Sequence, residues 1–315
     1  MKKIILAVSV VIFLLALQPA EASFPTRPIT VINASVAGSA TDVMARQIAH
    51  YAEAHLDQPF VIINRPGGAG AVTFSALLAE DPDGYTIVSS NASQLAILHT
   101  TLRDQFSFDD FIFLANVQVD NFAFFVLYDS PFHSISDVVE AARGGQDLLV
   151  AVGGGVGSGF HLAGLQLAHV AGIDLTLMPT AGGGEANVQL LGAHVDLAII
   201  SPASSWAHVE AGQMRFLGLA AEERSPLFPD VPTVREQGYD VVASQWRGFI
   251  ARRGMPQEIQ ETIVEAIRLA AHEEGFQEFL AQTKVGFGYV ELDEFARFAR
   301  EDFDRVGEIM SLLEN

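Results

Sequence analysis

The chain has 315 residues, half of them apolar (50%), which is enough material for packed cores in one large or two ordinary domains and excludes an intrinsically disordered chain. Lys and Arg number 18 against 38 Asp and Glu, and the charge of −20 repels nucleic-acid phosphates, so we expect no nucleic-acid partner. The absence of cysteine removes disulfides, Cys-ligated metals and thiol mechanisms.

Residues 1–22 have the form of a secretory signal peptide. Residues 1–3 are a short positive start, Ile4–Leu17 is an apolar run, and Ala20–Ala22 gives the small-x-small pattern that signal peptidase cleaves. A membrane anchor is the alternative, but this run is shorter than the roughly 20 residues that a spanning helix needs. We therefore predict a cleaved signal, a mature chain that begins at Ser23, and a periplasmic location.

Strands and helices alternate in the next part of the chain. Ile29–Asn33 and Phe60–Ile63 are predicted as buried strands, and each is followed by a loop of small residues. An amphipathic helix through Leu56 follows the first loop, and a helix over Val72–Ala79 follows the second. Tyr85–Ser89 is predicted as a third strand. This alternation is typical of a parallel sheet in an α/β fold.

A second α/β series begins after an aromatic run at Phe122–Tyr128, which we interpret as a strand that leaves the first unit. Its predicted elements alternate between helix and strand, at Val138–Arg143, Leu148–Val152, Phe160–Ala171, Leu175–Met178, Glu185–Leu191 and Val195–Ile200. Val241–Ile250 is predicted as a strand that returns to the first unit, and helices from Pro256 and over Leu292–Leu313 complete that unit. The prediction is two lobes joined by crossing strands, with lobe one at 23–123 plus 242–315 and lobe two at 124–241.

Four loops follow predicted strand ends and open predicted helices, at residues 37–42, 66–71, 153–161 and 180–185. Their glycines allow close backbone approach, and the first turn of each helix leaves N–H groups unpaired at the positive end of the helix dipole. Such helix starts attract anions, and ligands of open α/β sheets bind outside the carboxyl ends of the strands. A glycine loop is also the ordinary form of a tight connection. Together the loops favour a small anionic ligand.

Motifs for nucleotide binding and for common hydrolytic mechanisms are absent. The chain has no Gly-Lys dipeptide, which a P-loop requires, and the glycines of residues 153–159 do not have the Gly-x-Gly-x-x-Gly spacing of a dinucleotide-binding loop. The Gly-x-Ser-x-Gly motif of serine hydrolases is also absent at Ser158, because Val156 stands where the first glycine would be. His161 opens a predicted helix, and we interpret it either as a ligand contact or as a structural hydrogen-bond partner. Asp42 is interpreted as a first-turn dipole partner rather than a general base. No cofactor and no metal site is predicted.

Seven short motifs in register resemble the extracytoplasmic substrate-binding receptors of tripartite tricarboxylate transporters, the Bug type. They cover nearly all of the predicted mature chain, and they are Arg27-Pro28-Ile29, Gly38-Ser39-Ala40-Thr41-Asp42, Asn64-Arg65-Pro66-Gly67-Gly68-Ala69-Gly70, Pro82-Asp83-Gly84-Tyr85-Thr86, His161-Leu162-Ala163-Gly164, Gly192-Ala193-His194-Val195-Asp196-Leu197 and Phe228-Pro229-Asp230-Val231-Pro232-Thr233-Val234.

The resemblance implies a type II periplasmic-binding-protein fold, in which two lobes hinged by crossing strands close on a small carboxylate. Main-chain amides, hydroxyls and water hold the ligand in that family. Carried over by position, the resemblance implies ligand contacts at Ser35, Ala37, Gly38, Ser39 and Asp42 in lobe one, at Asn91 and Ser93 near the third strand, and at Ser158, His161, Thr180 and Ser201 in lobe two.

The chain departs from the family pattern in lobe two. Members commonly carry Tyr-Lys-Gly-Gly where this chain has Thr180-Ala181-Gly182-Gly183, and many carry Asp where this chain has Ile200. That Asp can meet an amino group on the ligand. The resemblance therefore favours a carboxylate with an apolar or hydroxylated body over an amino acid.

Two classes of function follow. The first is a solute-binding protein, expected to be a monomer, that captures an organic carboxylate and delivers it to a membrane permease without making or breaking a bond. The second is an exported α/β enzyme that acts on a carboxylate with His161 as base, although the chain lacks a cysteine nucleophile and a serine elbow. A loaded receptor that signals to a sensor kinase is compatible with the first class.

Overall fold

The computed structural model describes residues 24–99 and 102–313, so the predicted signal peptide lies outside the described residues. The strands, in chain order, are β1 (Ile29–Asn33), β2 (Phe60–Asn64), β3 (Thr86–Asn91), β4 (Phe111–Asn121), β5 (Ala123–Leu127), β6 (Leu149–Val152), β7 (Thr176–Pro179), β8 (Leu197–Ile200), β9 (Met214–Leu219), β10 (Ser244–Arg252) and β11 (Phe287–Glu291).

The α-helices are α1 (Ala40–Leu56), α2 (Ala71–Ala79), α3 (Ala92–Leu95), α4 (Ile135–Arg143), α5 (Gly159–Ala171), α6 (Gly183–Leu191), α7 (Pro202–Glu210), α8 (Gln257–His272), α9 (Glu274–Thr283) and α10 (Leu292–Leu313). None of these helices is both long and apolar enough to cross a bilayer.

Six strands form the first sheet, in the order β11-β4-β10-β3-β1-β2. β1 pairs in parallel with β2 and β3, whereas β10, β4 and β11 are joined by antiparallel pairing. Asn33, Asn64 and Asn91 are the last residues of the three parallel strands. Because parallel strands end at the same edge of a sheet, these asparagines lie along one edge, where Ser244 opens β10.

Five strands form the second sheet, in the order β7-β6-β8-β5-β9. β6 pairs in parallel with β7 and β8, and β5 joins β8 and β9 in antiparallel pairing. Ile200, the last residue of β8, lies opposite Ala123, the first residue of β5. The carboxyl ends of the parallel strands therefore lie at the edge where the chain enters this sheet.

The chain passes between the sheets twice, from β4 to β5 and from β9 to β10. Phe122 donates its N–H to the carbonyl of Ala243 at 3.2 Å, and Ala220 donates to the carbonyl of Phe122 at 2.8 Å, so the two crossing segments are bonded together. Beside them Arg247 of β10 pairs with Asp120 of β4 at 2.6 Å. The predicted two-lobed α/β fold with crossing strands is confirmed, and the carboxyl ends of the parallel strands of both sheets lie toward the crossing segments.

Apolar side chains cover both faces of each sheet. α1 buries Met44, Ala45, Ile48 and Ala52, which recur at helical spacing, in the same cluster as the apolar face of α8. A second cluster on the first sheet contains apolar side chains of α2 and α10, and two further clusters cover the second sheet. In each lobe, therefore, the helices that begin at the sheet edge are fixed by packing against the sheet.

The structure has more elements than the sequence predicted. The strand predicted at Phe122–Tyr128 is β5, and β4, which precedes it, was not predicted. β4 is buried along most of its length, and Asn116, Gln118 and Asp120 are buried within it, so it lacks the alternation that marks a half-exposed strand. α7, α9, β9 and β11 were also not predicted, and the two strands lie at sheet edges, where burial is partial.

The C-terminal helix α10 packs against β4 and β11 and also against α5, whose flanking strand β6 belongs to the second sheet. Its Asp302 side chain is mostly buried. Burial raises the pKa of Asp302 to about 6, and the charge of Arg305 offsets only part of this effect. Ionisation of this carboxylate is therefore less favourable in the folded chain than in the unfolded chain, although the group is mostly ionised at neutral pH.

A pH-dependent stability follows for Asp302. The folded state holds more protons on this group than the unfolded state between about pH 4 and 6, so the stability that the protonated group contributes is lost as the pH rises through this window. Asp302→Asn should remove this loss, at most about 3 kcal/mol for two pKa units. We expect the variant to exceed the wild type in urea unfolding at pH 8 and to match it near pH 3.5. Asp304→Asn, on the exposed side of α10, is the control, and equal pH profiles for wild type and Asp302→Asn would contradict the assignment.

Candidate functional site

The turn between β1 and α1 is held by its own polar groups. Gly38 has a φ of +79°, a left-handed conformation that favours glycine, and Ser39 follows as the N-cap of α1. The Ser39 hydroxyl accepts from the N–H of Asp42 at 3.3 Å, and the Gly38 N–H donates to the Asp42 carboxylate at 2.9 Å. The N–H groups of Val36 and Ala37 have no acceptor among residues 24–99 and 102–313, and both residues are exposed.

Asp42 is buried and its carboxylate is fully engaged by the protein. It accepts from Arg46 Nε at 3.0 Å, from the Gly38 amide, from Asn64 Nδ2 at 2.8 Å and from Asn33 Nδ2 at 3.3 Å. Burial alone would raise the pKa of Asp42, but these hydrogen bonds outweigh burial and hold the pKa well below its usual range. Asp42 is therefore a permanent anion that fixes the first turn to the asparagines at the sheet edge.

The turn between β6 and α5 repeats this geometry in the second lobe. Gly157 has a φ of +80°, and Ser158 is the N-cap of α5. The Ser158 hydroxyl accepts from the N–H of His161 at 3.3 Å, and the Gly157 N–H donates to His161 Nδ1 at 3.4 Å. Ser158 donates its own N–H to the carbonyl of Gly155 at 3.0 Å, as Ser39 donates to Val36 at 3.2 Å.

The two turns differ in the side chain that closes them, a carboxylate at Asp42 and an imidazole at His161. Burial lowers the pKa of His161, which favours the neutral ring. A ring that accepts at Nδ1 carries its proton on Nε2, so it presents an N–H donor. The second turn is therefore better suited than the first to face an anion.

A polar network joins the start of α3 to a crossing strand. Asn91 caps α3, and its side-chain amide donates to the Thr41 hydroxyl of α1 at 3.1 Å. Gln245 of β10 donates to Asn91 Oδ1 at 2.7 Å and accepts from the Ser93 hydroxyl at 2.8 Å. A Cβ added at Gly159, the first residue of α5, would lie 3.9 Å from Gln245 Oε1. Gln245 therefore lies between helix starts of both lobes.

Ser35 belongs to the same cluster through Gln94. The Gln94 side-chain amide donates to the Ser35 hydroxyl at 2.9 Å, and its oxygen accepts from the Ser90 hydroxyl at 3.1 Å. Gln94 also completes the capping box of Asn91. Gln94 was not among the predicted site residues, although the Asn-x-x-Gln spacing is a sequence signal for this capping role.

Thr180 and Ser201 lie at the carboxyl ends of β7 and β8. The Thr180 hydroxyl is buried and donates to the carbonyls of Val152 and Gly182, at 2.8 and 3.0 Å. Ser201 is the N-cap residue of α7, and its buried hydroxyl has no hydrogen-bond partner in the described part of the chain. Both lie at the predicted edge of the sheet, but neither is bonded to the Gln245 network.

The structure therefore brings Ser35, Asn91 and Ser93 together around Gln245, with α5 starting beside them. Ser158 and His161 form the matching turn in lobe two, whereas Gly38, Ser39 and Asp42 are bonded mainly to one another. Gln245 itself carried no sequence signal, because it lies inside a crossing strand and meets Ser93 across 152 residues of chain. The ligand contacts at all of these residues stay predictions.

Comparisons with known proteins agree with this architecture. A family model described as "Tripartite tricarboxylate transporter family receptor" matches residues 44–314. The Cupriavidus necator "UPF0065 protein in gbd 5'region" is 30% identical over 291 residues, which is 91% of this chain and 88% of that protein.

Solved structures share the fold. A TctC solute binding protein from Polaromonas superposes with a TM-score of 0.84 at 28% identity, covering 92% of this chain and 99% of that one. MatC (Rpa3494) from Rhodopseudomonas palustris with bound malate superposes with a TM-score of 0.72 at 24% identity, covering 91% of this chain and 99% of that one. At the identity of the second structure, the likeness concerns the fold alone.

Proposed function

Because the chain belongs to the tripartite tricarboxylate transporter receptor family, which its sequence motifs predicted, we propose that it captures a small organic carboxylate between its lobes and delivers it to a membrane permease. Residues 1–22 direct export in this proposal, and the protein acts in the periplasm. The malate held by MatC, which has the same fold, supports a carboxylate ligand.

The observation that carries the proposal is the pair of turns at Gly38-Ser39 and Gly157-Ser158, which share one geometry and are called the matched Gly-Ser turns. Each turn starts a long helix at the carboxyl edge of its sheet, and both edges lie toward the crossing segments. Helix starts offer N–H donors and a positive dipole end, which favour an anion even in a chain of charge −20. A ligand that contacts both turns stabilises the closed arrangement by its differential affinity for that arrangement.

A thermal-shift screen tests the proposal. Mono-, di- and tricarboxylates are added to the purified protein at fixed ionic strength, with the neutral amide of each acid as the control. A carboxylate at 100 times its Kd should stabilise the native state by about 2.7 kcal/mol, and its amide should not. The absence of any selective shift would contradict carboxylate binding. Glutamate or aspartate as the best ligands would contradict the expected preference against amino acids.

The enzyme alternative is tested on the same ligand. Incubation of the protein with a bound acid should return the acid unchanged by mass spectrometry, because the proposal involves no bond breaking. Turnover that disappears in His161→Ala would favour the enzyme instead, since His161 is the base named for that alternative.

A further inference from the structure

A cation–π contact joins the two lobes at α7. The Lys284 ammonium nitrogen lies 5.0 Å from the centroid of the Trp206 ring, within the roughly 6 Å range of such an interaction. Lys284 is the C-cap of α9 in the first lobe, and Trp206 belongs to α7 of the second. Ala203, also on α7, packs against the apolar cluster of the first lobe that contains Val285. Helix α7 therefore contacts the first lobe at two points.

Lys284 is the only lysine after residue 22, and its side chain is half-buried. No carboxylate of the described residues forms an ion pair with it within 4.0 Å. Asp120 borders the same crevice between the lobes, but it is already paired with Arg247 at 2.6 Å. In the part of the chain that the structure describes, the Trp206 ring is therefore the group that stabilises the Lys284 charge.

Each partner of this contact is anchored on a strand that leads into a crossing segment. Trp206 packs on Phe228, with 5.4 Å between ring centroids, and this aromatic packing continues onto β9. Two residues after Lys284, the Gly286 carbonyl accepts from the N–H of Val119 in β4 at 3.0 Å. A Cβ at Gly286 would lie 2.2 Å from the Val119 carbonyl oxygen, so the two backbones approach this closely only with glycine. A movement of the crossing segments therefore moves both partners.

The contact lies on the side of the crossing segments that faces away from the candidate site. In the first sheet, β3, β1 and β2 lie on one side of the strands β4 and β10, whereas β11, which follows Lys284, lies on the other. In the second sheet, β8, β6 and β7 lie on one side of β5, whereas β9, onto which the Trp206 packing continues, lies on the other. The helix starts of the candidate site follow the parallel strands in both lobes. The crossing segments therefore separate the contact from the site.

Lobes that hinge on the crossing segments approach each other on one side of the hinge and separate on the other. Closure over a ligand at the helix starts therefore lengthens a contact that lies behind the hinge. We propose that Lys284 and Trp206 form a latch that stabilises the open arrangement of the lobes and breaks when the lobes close on a ligand. This inference rests on the proposed function, and it adds a device that sets ligand affinity without touching the ligand.

The latch lowers ligand affinity because closure has to break it. Loss of a cation–π contact at a partly exposed site shifts an equilibrium by about two- to fivefold. The apparent affinity of a ligand that binds the closed arrangement depends on the population of that arrangement. Removal of either latch partner should therefore raise the affinity by the same factor.

Isothermal titration tests the latch with acetate, succinate and citrate as mono-, di- and tricarboxylate probes, at fixed ionic strength. The proteins are the wild type, Lys284→Met, Lys284→Arg, Trp206→Leu and the double variant of Lys284→Met with Trp206→Leu. Arg268→Gln is the control, because it also removes one positive charge from the first lobe, but Arg268 pairs with Glu265 of its own helix. Circular dichroism and melting temperature confirm that each variant folds.

Distances between spin labels give a second measurement that needs no ligand. The chain has no cysteine, so Val61→Cys and Val188→Cys, at exposed positions of the first and second lobe, can carry the two labels. The mean distance between the labels should be shorter in ligand-free Lys284→Met than in the ligand-free wild type, because loss of the latch favours closure.

A probe that binds the wild type should bind Lys284→Met and Trp206→Leu about two- to fivefold more tightly. The double variant should bind no more tightly than either single variant, since all three lack the same contact, and Lys284→Arg and Arg268→Gln should match the wild type. Unchanged or weaker binding in Lys284→Met would overturn the latch, while the proposed function would stand. A wild type that binds no probe would contradict the proposed function, and an unchanged label distance in ligand-free Lys284→Met would then overturn the latch as well.

Discussion

Replacing Asp42 by alanine is expected to lower the free energy of unfolding by about 3 kcal/mol and to weaken carboxylate binding at least 100-fold. The change leaves the buried side-chain amide of Asn33 without this acceptor, which costs about 1–3 kcal/mol. The exposed Gly38 amide can bind water instead, and the Asn64 side-chain amide keeps its bond to the carbonyl of Ser35, so these two donors add less. The Arg46 side chain is half exposed and can form hydrogen bonds with water in place of Asp42, so it adds little to the loss of stability. The affinity for the carboxylate should fall by more than the loss of stability alone explains, because the first turn loses the carboxylate group that fixes its shape.

The pH dependence of this variant has a definite sign. Hydrogen bonds hold the pKa of Asp42 well below its usual range despite burial, so its stabilisation is present above the unfolded pKa of about 3.9 and is lost only as the pH falls below that value. The stability gap between wild type and Asp42→Ala should therefore be constant near neutral pH and should shrink in acid. Urea unfolding at several pH values measures this gap.

Asp137→Ala is a matched control for the binding effect. Asp137 also lies in the first turn of a helix and accepts from two backbone amides, those of His133 at 2.7 Å and Ser134 at 2.9 Å, but α4 is not among the helices that line the candidate site. Its loss should cost about 1 kcal/mol through weaker capping, with unchanged affinity. Equal affinity in Asp42→Ala and the wild type would remove the first turn from the proposed site.

Replacing Gly159 by alanine is expected to weaken carboxylate binding by about 100-fold. A Cβ at this first residue of α5 would lie 2.6 and 2.8 Å from ring atoms of Phe122 on the crossing segment, closer than real contacts allow. The buried ring of Phe122 also packs on Phe160, with 4.1 Å between ring centroids, so relief requires a shift of the start of α5. This helix start is where we place the ligand carboxylate.

The stability of Gly159→Ala should change less than its affinity. Overpacking costs typically about 1–3 kcal/mol, and alanine regains up to about 1 kcal/mol of helix propensity over glycine. Gly155→Ala in the same loop is the control, because a Cβ there meets nothing within 4 Å. Titration calorimetry and urea unfolding on both variants measure the two effects, and wild-type affinity in Gly159→Ala would exclude the start of α5 from the site.

Much of the fold was predictable because its local signals are strong. β1, the end of α1 and the bounds of α10 were predicted where the structure has them, since their apolar residues recur with a clear period. Pro28 precedes β1, and Ser39 is the N-cap of α1. β4 was missed because burial of its polar side chains removes the alternation. The edge strands were missed because partial burial leaves them without a marked pattern.

The sequence predicts which loops form the candidate site, but not which side chains in them contact one another. Glycine and serine at strand-to-helix junctions identify the two matched turns, and the family motifs added Asn91, Ser93 and the lobe-two residues as expectations. The sequence did not indicate that the Asp42 carboxylate is occupied by Arg46 and the asparagines at the sheet edge, because those bonds depend on strands that pair across the sheet.

The sequence alone determined the anionic character of the chain, the α/β alternation and the helix starts that favour an anion, because these follow from composition and from contacts between near neighbours. The tertiary structure alone decided which side chains meet between the lobes. Gln245 reaches Asn91 across 154 residues, and Arg305 reaches Val242 across 63, so neither contact leaves a local pattern. Their positions depend on how the crossing segments and α10 pack, which no short stretch of sequence encodes.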